Sequence, residues 1–559
     1  MTTVSDITVL IPAAGRVPEG LLALSNIACP AMIPVGGRPV IHWTLSYLRS
    51  LGLRKFVIAT ARKGMFVEDF VDCAFGQDCE ITFITPSRDG GVGRTVMELA
   101  ERVTTREALV VLGDTHFQFA SPDDLSTRRE PFVLTQSVDD SYRWCVAETD
   151  PTGTIERLRD KVPNLPGPLE ALIGVYYFPD AAALKSATRA TVDAAEADGK
   201  RSELAGILDR IHAMTPIRAL RAGMWLDCGN ADMQAHSHQA LLQARAFNEL
   251  KIDPVLGTIT KRSRDSEKFI NEVNYLRLLP PDLGVMFPRV IGYSLDWADP
   301  WVEMEYYGYP TLSEVYLFEN VDPGVWERVF AHLFAIVRTR FGKHERPLPA
   351  DSVRAMYVGK TKKRLESMRC EPELAALLRH EGTVVVNDKP LANLALLWPR
   401  IEQEVATLES SARGTVVHGD LCLSNILYDL RSRICKLVDP RGSFGSVGIY
   451  GDPRYDIAKL WHSVHGLYDF IINDLFRVSI DGTRVELSIR ATAAHREIEG
   501  RFERVFFQGG AFDRREVQLI TALLFASMPA LHYDHPPRQL AMYARALQLF
   551  NEYFEGGAT

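Results

Sequence analysis

The 559-residue sequence has only eight cysteines and no Cys-x-x-Cys pair. Their positions (Cys29, Cys73, Cys79, Cys145, Cys228, Cys370, Cys422 and Cys435) suit neither a zinc site nor a disulfide framework. Reduced thiols of a cytoplasmic protein are the plain expectation. The first residues, MTTVSDITVLIPAAG, lack a basic stretch ahead of an apolar one, so they read as a strand rather than a signal peptide. No apolar run is long enough to span a bilayer, which takes about 20 residues; the most apolar late segment, TALLFASMPAL, is short and contains Pro529. A large charge imbalance is also lacking: 63 Lys and Arg stand against 71 Asp and Glu, a net charge of −8. That balance gives no support for nucleic-acid or membrane partners. It leaves small molecules, including polyanions that a local basic pocket could take. There is no internal repeat and no low-complexity tract. What is present is a globular composition, 46% hydrophobic and 24% charged, in a chain long enough for about three to five structural units grouped into two blocks.

Residues 1–245 alternate strand and helix patterns. Short β-branched runs at 7–13, 55–60, 79–85, 108–114 and 132–138 predict buried, mainly parallel strands, with helices at 39–52 and 66–76 between the first three. Shorter strands follow from Trp144 to Pro179, and a helix is expected from about Ala231 to Leu250. The predicted class is α/β, with a Rossmann-like first domain. The second domain, 253–559, opens with a strand at 257–263, a helix at 266–279 and a strand at 301–307. This small mixed lobe, about 253–310, precedes a helical large lobe, about 311–559, interrupted by one strand–loop–strand unit at 415–439. The whole is a bilobal α+β domain.

The strongest chemical signal is Val416-Val417-His418-Gly419-Asp420-Leu421-Cys422-Leu423-Ser424-Asn425, followed by a strand ending at Asp439. An Asp with an Asn five positions later, then a second Asp after a strand, supplies one carboxylate to take a hydroxyl proton and two hard oxygen ligands for Mg²⁺ against a triphosphate. With Gly451-Asp452-Pro453-Arg454-Tyr455-Asp456-Ile457-Ala458 downstream, these residues resemble the aminoglycoside phosphotransferase and choline kinase superfamily over about 253–559. The resemblance implies a protein-kinase-like fold, ATP as phosphate donor, Asp420 as catalytic base, Asn425 and Asp439 as magnesium ligands, and His418 and Asp456 as supports of the catalytic loop. Lys261 on a strand, with Glu272 eleven residues later on a helix, is the candidate phosphate anchor; Lys268 is its competitor. Glu305–Tyr307 is the expected adenine hinge, with Glu305 and Tyr307 at its ends. A glycine-rich loop is not evident, Gly257 standing nearly alone.

The first block carries a second constellation. Pro12-Ala13-Ala14-Gly15-Arg16 follows the first strand, and Cys29-Pro30-Ala31-Met32-Ile33-Pro34-Val35-Gly36-Gly37-Arg38-Pro39 opens the next helix. Gly90-Gly91-Val92-Gly93-Arg94-Thr95, Leu112-Gly113-Asp114, Gly174-Val175-Tyr176 and Trp225-Leu226-Asp227-Cys228-Gly229 come in order after them. This series resembles the sugar-phosphate nucleotidylyltransferases, a branch of the GT-A-like folds. The resemblance implies a nucleotide held by Ala13, Ala14, Gly15, Arg16, Gly91 and Gly93, and Mg²⁺ held by Asp114 and Asp227. It implies a sugar phosphate met by Glu148, Lys161 and Gly174. One position departs: Ala31 stands where the family has a lysine that neutralises the α-phosphate. Arg16 and Arg38 are the candidates to replace that charge, and the other reading is a domain that only binds its ligand.

Other features read as structural. His236 and His238, two apart on an expected helix, point to different faces. The run Lys360–Arg364 (KTKKR) reads as a solvated helix face, and Trp461, Tyr468, Phe470 and Phe476 as core. Taken together, the two resemblances imply a bifunctional enzyme: an ATP-dependent small-molecule kinase, with a sugar as the expected acceptor, and a sugar-1-phosphate nucleotidylyltransferase using a second NTP (CTP, UTP or GTP). Its product would be an NDP-activated metabolite of the kind used in surface-polysaccharide assembly such as capsule. A choline-type kinase fused to a phosphocholine cytidylyltransferase, with an amino-alcohol acceptor, is the alternative, as is a kinase with a nucleotide-sensing first domain.

Overall fold

The computed structural model describes residues 6–17, 27, 29–61, 65–127, 129–229, 248–349 and 351–556. Its internal contacts divide the chain into two units, Met1–Leu241 with Phe318–Asn320 and Leu242–Leu317 with Val321–Thr559.

The first unit is built on a ten-stranded sheet. Its strands are β1 (Ile7–Pro12), β2 (Lys55–Ala59), β3 (Glu80–Ile84), β4 (Glu107–Val111), β5 (Thr115–Phe119), β6 (Phe132–Val138), β7 (Cys145–Thr149), β8 (Ile155–Asp160), β9 (Leu169–Phe178) and β10 (Arg218–Asp227). Helices α1 (Val40–Ser50), α2 (Met65–Phe75) and α3 (Val92–Ala100) connect the first strands, and α4 (Ala181–Ala197) and α5 (Leu204–Met214) follow β9. The order along the sheet is β3-β2-β1-β4-β9-β6-β10-β5, with the β7–β8 hairpin attached through β7 to β9. β3, β2, β1 and β4 are parallel, and β9 runs against β4. β1 and β4 are buried almost throughout because helices cover both faces, and their continuous aliphatic runs require that. Leu10, Val57 and Val110 meet Val96, Leu99, Leu184 and Ile207 in one core. The chain order reverses between β1 and β4. The loops leaving their carboxyl ends, Ala13–Val17 and Leu112–Asp114, therefore meet at the switch point where open α/β sheets bind ligands.

The second unit begins with a four-stranded antiparallel sheet of β11 (Asn248–Asp253), β12 (Thr258–Ser263), β13 (Val290–Ser294) and β14 (Trp301–Glu305), in the order β11-β12-β14-β13. Helix α6 (Ser266–Leu278) lays Phe269 and Val273 against Val302 and Met304 of this sheet. The helices of the large lobe include α7 (Pro323–Phe334), α8 (Lys360–Glu366), α9 (Leu394–Ser411), α10 (Pro453–Val464), α11 (Ala493–Phe506), α12 (Arg514–Ser527) and α13 (Pro536–Glu555). A π-helical turn, Ala355–Gly359, precedes α8. Helix α12 is buried on every side from Val517 to Ser527, so its apolar composition is that of a core helix. Among the described residues no helix is long and apolar enough to cross a membrane.

Three expectations need correction. The expected helix from Ala231 to Leu250 lies mostly outside the described residues, as do His236 and His238, but Asn248–Leu250 belong to β11. The strand expected to reach Tyr307 stops at Glu305. The large lobe is less uniformly helical than expected. Two hairpins, β15 (Thr383–Val386) with β16 (Lys389–Ala392) and β20 (Phe476–Asp481) with β21 (Arg484–Ile489), join into a sheet ordered β16-β15-β21-β20. Asn387-Asp388, both at positive φ, make the first turn, and Gly482 the second. The Asn387 amide clasps both backbone groups of Leu487 at 2.7 Å. Phe476, read as core, is buried at the start of β20 in this sheet.

Candidate active sites

In the second unit, β17 (Gly414–Val416) leads into the His418-Gly419-Asp420 turn, and hairpin β18 (Ile426–Asp429) and β19 (Ile434–Leu437) follows. Gly419 has φ +77°, and a Cβ there would lie 2.9 Å from the Arg441 Cβ, so glycine is needed for both conformation and space. Asp456, in the first turn of α10, accepts the amide N–H groups of His418 at 2.7 Å and Gly419 at 2.9 Å. The His418 Nε2–H donates to the Val438 carbonyl at 3.0 Å, while Nδ1 accepts the Asp420 N–H at 3.3 Å. Burial holds its imidazole down at about 4, so the ring is a neutral clamp between the loop and the end of β19.

Hairpin β18–β19 closes with the Val438 N–H on the Asn425 carbonyl at 3.0 Å, which sets Asn425 and Asp439 beside each other at its open end. The Asn425 amide donates to the Asp420 carbonyl at 2.9 Å and to its Oδ2 at 3.3 Å. Asp439 takes a left-handed conformation, φ 58°, which Asp tolerates better than most residues. Lys261, buried on β12, reaches Glu272 of α6 at 2.8 and 2.9 Å and Asp439 Oδ1 at 2.8 Å. Burial opposes the lysine's charge, and the Asp439 and Glu272 carboxylates more than restore it. Lys268, the competitor, sits exposed beside Asp265. The Asp420 side chain is 39% exposed and that of Asp439 49%, so both carboxylates open to solvent.

Sequence reasoning missed Lys459. Its ammonium lies 2.7 Å from Asp420 Oδ1. Burial works to raise the Asp420 carboxyl, but Lys459 outweighs it and holds the group at about 2. The signal was available: Lys459 falls three residues after Asp456 on one helix, which puts both on one face. The reading of Lys360–Arg364 as a solvated face also needs correction. Lys360 is turned inward, its Nζ donating to the Tyr455 hydroxyl at 3.1 Å, and Arg364 reaches Ser527 at 3.3 Å. At the expected hinge, the Glu305 N–H donates to the Arg289 carbonyl at 3.1 Å and the Tyr306 N–H to the Gly257 carbonyl at 2.8 Å. The Glu305 and Tyr307 side chains line a cavity of about 530 Å³ with Arg289 and Lys436, which includes neither Lys261 nor Asp439.

In the first unit, the pairing of Asp227 with Thr115 across β10 and β5 brings Asp227 beside Asp114. A Cβ at Gly229 would stand 2.7 Å from Asp114 Oδ2 and 3.3 Å from Asp227 Oδ1, so the two carboxylates converge on the space that this glycine leaves. Burial, and then the charge of Asp227, pushes the Asp114 carboxyl up to about 6. A divalent cation is the natural relief for two such groups. Among the described residues no group of three or more His, Cys, Asp or Glu is arranged to hold a metal. The oxygen donors occur in twos, Asp114 with Asp227 and Asn425 with Asp439, which fits Mg²⁺, since that ion keeps water and phosphate oxygens in most of its shell.

Ala14, Gly15, Arg16 and Gly91 line a cavity of about 750 Å³ together with Arg88, Asp89 and Arg201. Ala13 is buried behind it, against Gly113. Gly93 faces away: its N–H donates to the Ser202 carbonyl at 2.9 Å, and a Cβ would press on Ser202. Gly174, at φ +86°, passes so close to Leu112 that a Cβ would lie 2.9 Å from its side chain, which ties this bulge of β9 to the loop bearing Asp114. Glu148 is paired at the surface with Arg159 at 3.0 Å, and Lys161 is exposed, its N–H on the Trp144 carbonyl. Ala31 is buried in a short turn, Pro30–Met32. Of the candidates to replace the missing charge, Arg16 is 92% exposed and Arg38 bonds His42 Nε2 at 2.7 Å.

Comparison with known proteins matches residues 17–244 to the family described as nucleotidyl transferase and residues 247–484 to the phosphotransferase enzyme family. No curated protein matches the chain. Similar solved structures include a protein assigned as a glucose-1-phosphate thymidylyltransferase from Bacillus anthracis in complex with sucrose, with 21% identity over 43% of this chain and 97% of that one and a TM-score of 0.37. A UDP-glucose pyrophosphorylase complexed with UDP-glucose has 18% identity over 43% and 99%, TM-score 0.37. HddC from Yersinia pseudotuberculosis has 17% identity over 42% and 98%, TM-score 0.34. The protein is thus an enzyme of the transferase class. It carries a nucleotidyl transferase domain followed by a phosphotransferase domain on one chain.

Proposed function

We propose that the second domain transfers the γ-phosphate of ATP to a hydroxyl of a small acceptor, a sugar in the leading reading, and that the first transfers a nucleotide from CTP, UTP or GTP onto the resulting phosphate. The product is an NDP-activated metabolite of the kind that surface-polysaccharide assembly consumes. The observation that carries this reading is the gathering of Asp420, Asn425 and Asp439, the two carboxylates open to solvent, with the buried Lys261 bonded to Asp439. Asn425 and Asp439 would hold Mg²⁺, which when bound neutralises charge on the phosphates. Lys261 sets its ammonium toward the α- and β-phosphates, and Glu272 keeps it there. Asp420 orients the acceptor hydroxyl and takes its proton. A carboxylate held near 2 is a weak base, which suits a loose transition state in which phosphoryl transfer needs little help from proton removal. The Tyr307 N–H has no backbone acceptor among the described residues, which supports its pairing with adenine; the Glu305 N–H is already occupied. In the first domain, Asp114 and Asp227 would hold Mg²⁺, the loop Ala13–Arg16 and Gly91 would cradle the second triphosphate, and Glu148, Lys161 and Gly174 would meet the sugar phosphate.

The test is ADP release from Mg-ATP across a panel of hydroxylated acceptors, with the phosphorylated product identified by mass. Asp420→Asn should lower the rate by about 10²–10⁴; an unchanged rate would sink the assignment. The product is then offered with each NTP and pyrophosphate is measured. Nucleotide binding without pyrophosphate release would identify the first domain as a sensor, the reading that Ala31 motivates.

A further inference from the structure

The face of the phosphotransferase domain around Asp420 is crowded with positive charge that the roles above do not use. Lys459 is paired with Asp420 at 2.7 Å. Lys360, delivered by the π-helical turn before α8, has its Nζ 3.1 Å from the Tyr455 hydroxyl and 5.0 Å from the centre of that ring, with no carboxylate bonded to it among the described residues. Among the described residues the Arg364 guanidinium hydrogen-bonds the carbonyl and hydroxyl of Ser527, at 3.4 and 3.3 Å, and no carboxylate. Arg441 follows Asp439 by two residues, and its backbone N–H donates to the His418 carbonyl at 2.9 Å. Among the described residues its guanidinium has no hydrogen-bonded carboxylate. Burial and the like charges of Arg441, Arg364 and Lys459 push the Lys360 ammonium well below the usual lysine range, and Asp420 pulls the other way. Three of these four cations thus lack a hydrogen-bonded carboxylate among the described residues, and Asp420 is already answered by Lys459. Such a surplus at a half-buried site is costly unless an anion completes it.

Resting on the phosphotransfer reading, we propose that the acceptor of this domain is an anion, an alcohol that also carries a carboxylate or phosphate group, with Lys360 and Arg441 gripping the charged group while Asp420 faces the hydroxyl. A quaternary ammonium acceptor does not fit. It needs aromatic faces free of competing cations, and the Tyr455 ring is already taken by Lys360.

The experiment pairs acceptors that share a skeleton: glycerol with glycerate and glycerol phosphate, and a hexose with its uronate and its 6-phosphate, alongside choline. ADP release is followed in the full chain. Anionic members should be preferred, and the carboxylate and phosphate arms tell which group is read. Lys360→Met and Arg441→Gln should each raise the KM for the anionic acceptor by roughly 10–100-fold, the loss of one charge-assisted hydrogen bond. The increase should fall on the acceptor and not on ATP; an increase confined to the KM for ATP would overturn the proposal by assigning these cations to the nucleotide. Turnover of neutral or cationic members alone would overturn it and leave the phosphotransferase reading standing. If no member is turned over, thermal shift with Mg-ADP present decides. A Tm raised by phosphate or malonate in wild type but not in the two variants supports the anion site, and no shift with any anion overturns it.

Discussion

Lys261 answers two carboxylates from different elements at once, Glu272 on α6 and Asp439 after β19. A lysine that is 6% exposed keeps its charge because its carboxylate partners outweigh the burial. Its removal therefore acts twice. Lys261→Met takes positive charge from the nucleotide phosphates and leaves Glu272 with an uncompensated buried carboxylate. kcat/KM for ATP should fall by about 10²–10³, and unfolding of the domain should be easier by about 3–5 kcal/mol, read from denaturant titration beside the steady-state assay. Glu272→Gln should weaken ATP binding with a smaller stability loss, because no charge is left stranded. Strand–helix spacing made the Lys261–Glu272 contact legible from the sequence. The third partner was not legible as such, because Asp439 is 178 residues away and its left-handed backbone is a property of the folded loop.

At the scale of elements, His465 ties three helices together. It caps the carboxyl end of α10, and its Nδ1 meets Glu499 of α11 at 2.6 Å and its Nε2 lies 3.7 Å from Glu552 of α13. Burial works to lower its pKa, and the two carboxylates overcome it, so the group is raised above its ordinary value of 6.5. A group raised on folding contributes stability that is fully present below its unfolded value and is lost as pH climbs through the folded one. Tm should therefore decline as pH rises above about 6.5 through the folded pKa. His465→Gln should start lower and lose that part of the slope, as differential scanning calorimetry across pH 6 to 9 would record. The elements themselves were unevenly legible. β1, β2 and β4 announced themselves as continuous β-branched runs, because strands covered on both faces admit little else. The sheet of β15, β16, β20 and β21 escaped notice because its two hairpins are about 90 residues apart and form one sheet only through the long-range pairing of β15 with β21. The inward turn of Lys360 was hidden in a run of five residues, KTKKR, that composition alone assigns to solvent.

At the scale of the whole molecule, each unit holds its own set of acidic and basic groups, Asp114 and Asp227 in one, Lys261, Asp420 and Asp439 in the other. Asp114→Ala should cut pyrophosphate release by about 10² or more, as loss of a charge-stabilising group does. It should leave ADP release within about twofold of wild type, the two reactions being assayed separately on the same preparation; a parallel loss of both would mean that the sites are coupled. The amino-acid order by itself determined the class of chemistry: His-Gly-Asp with its Asn and later Asp, and the glycine loop with its two strand-end aspartates, are local spacings set by the reactions they serve. Folding alone decided which charges answer one another. Lys459 was set on Asp420, Lys360 on Tyr455 and Lys261 on Asp439, because electrostatic partnership acts over a few ångströms in space and is indifferent to distance along the chain.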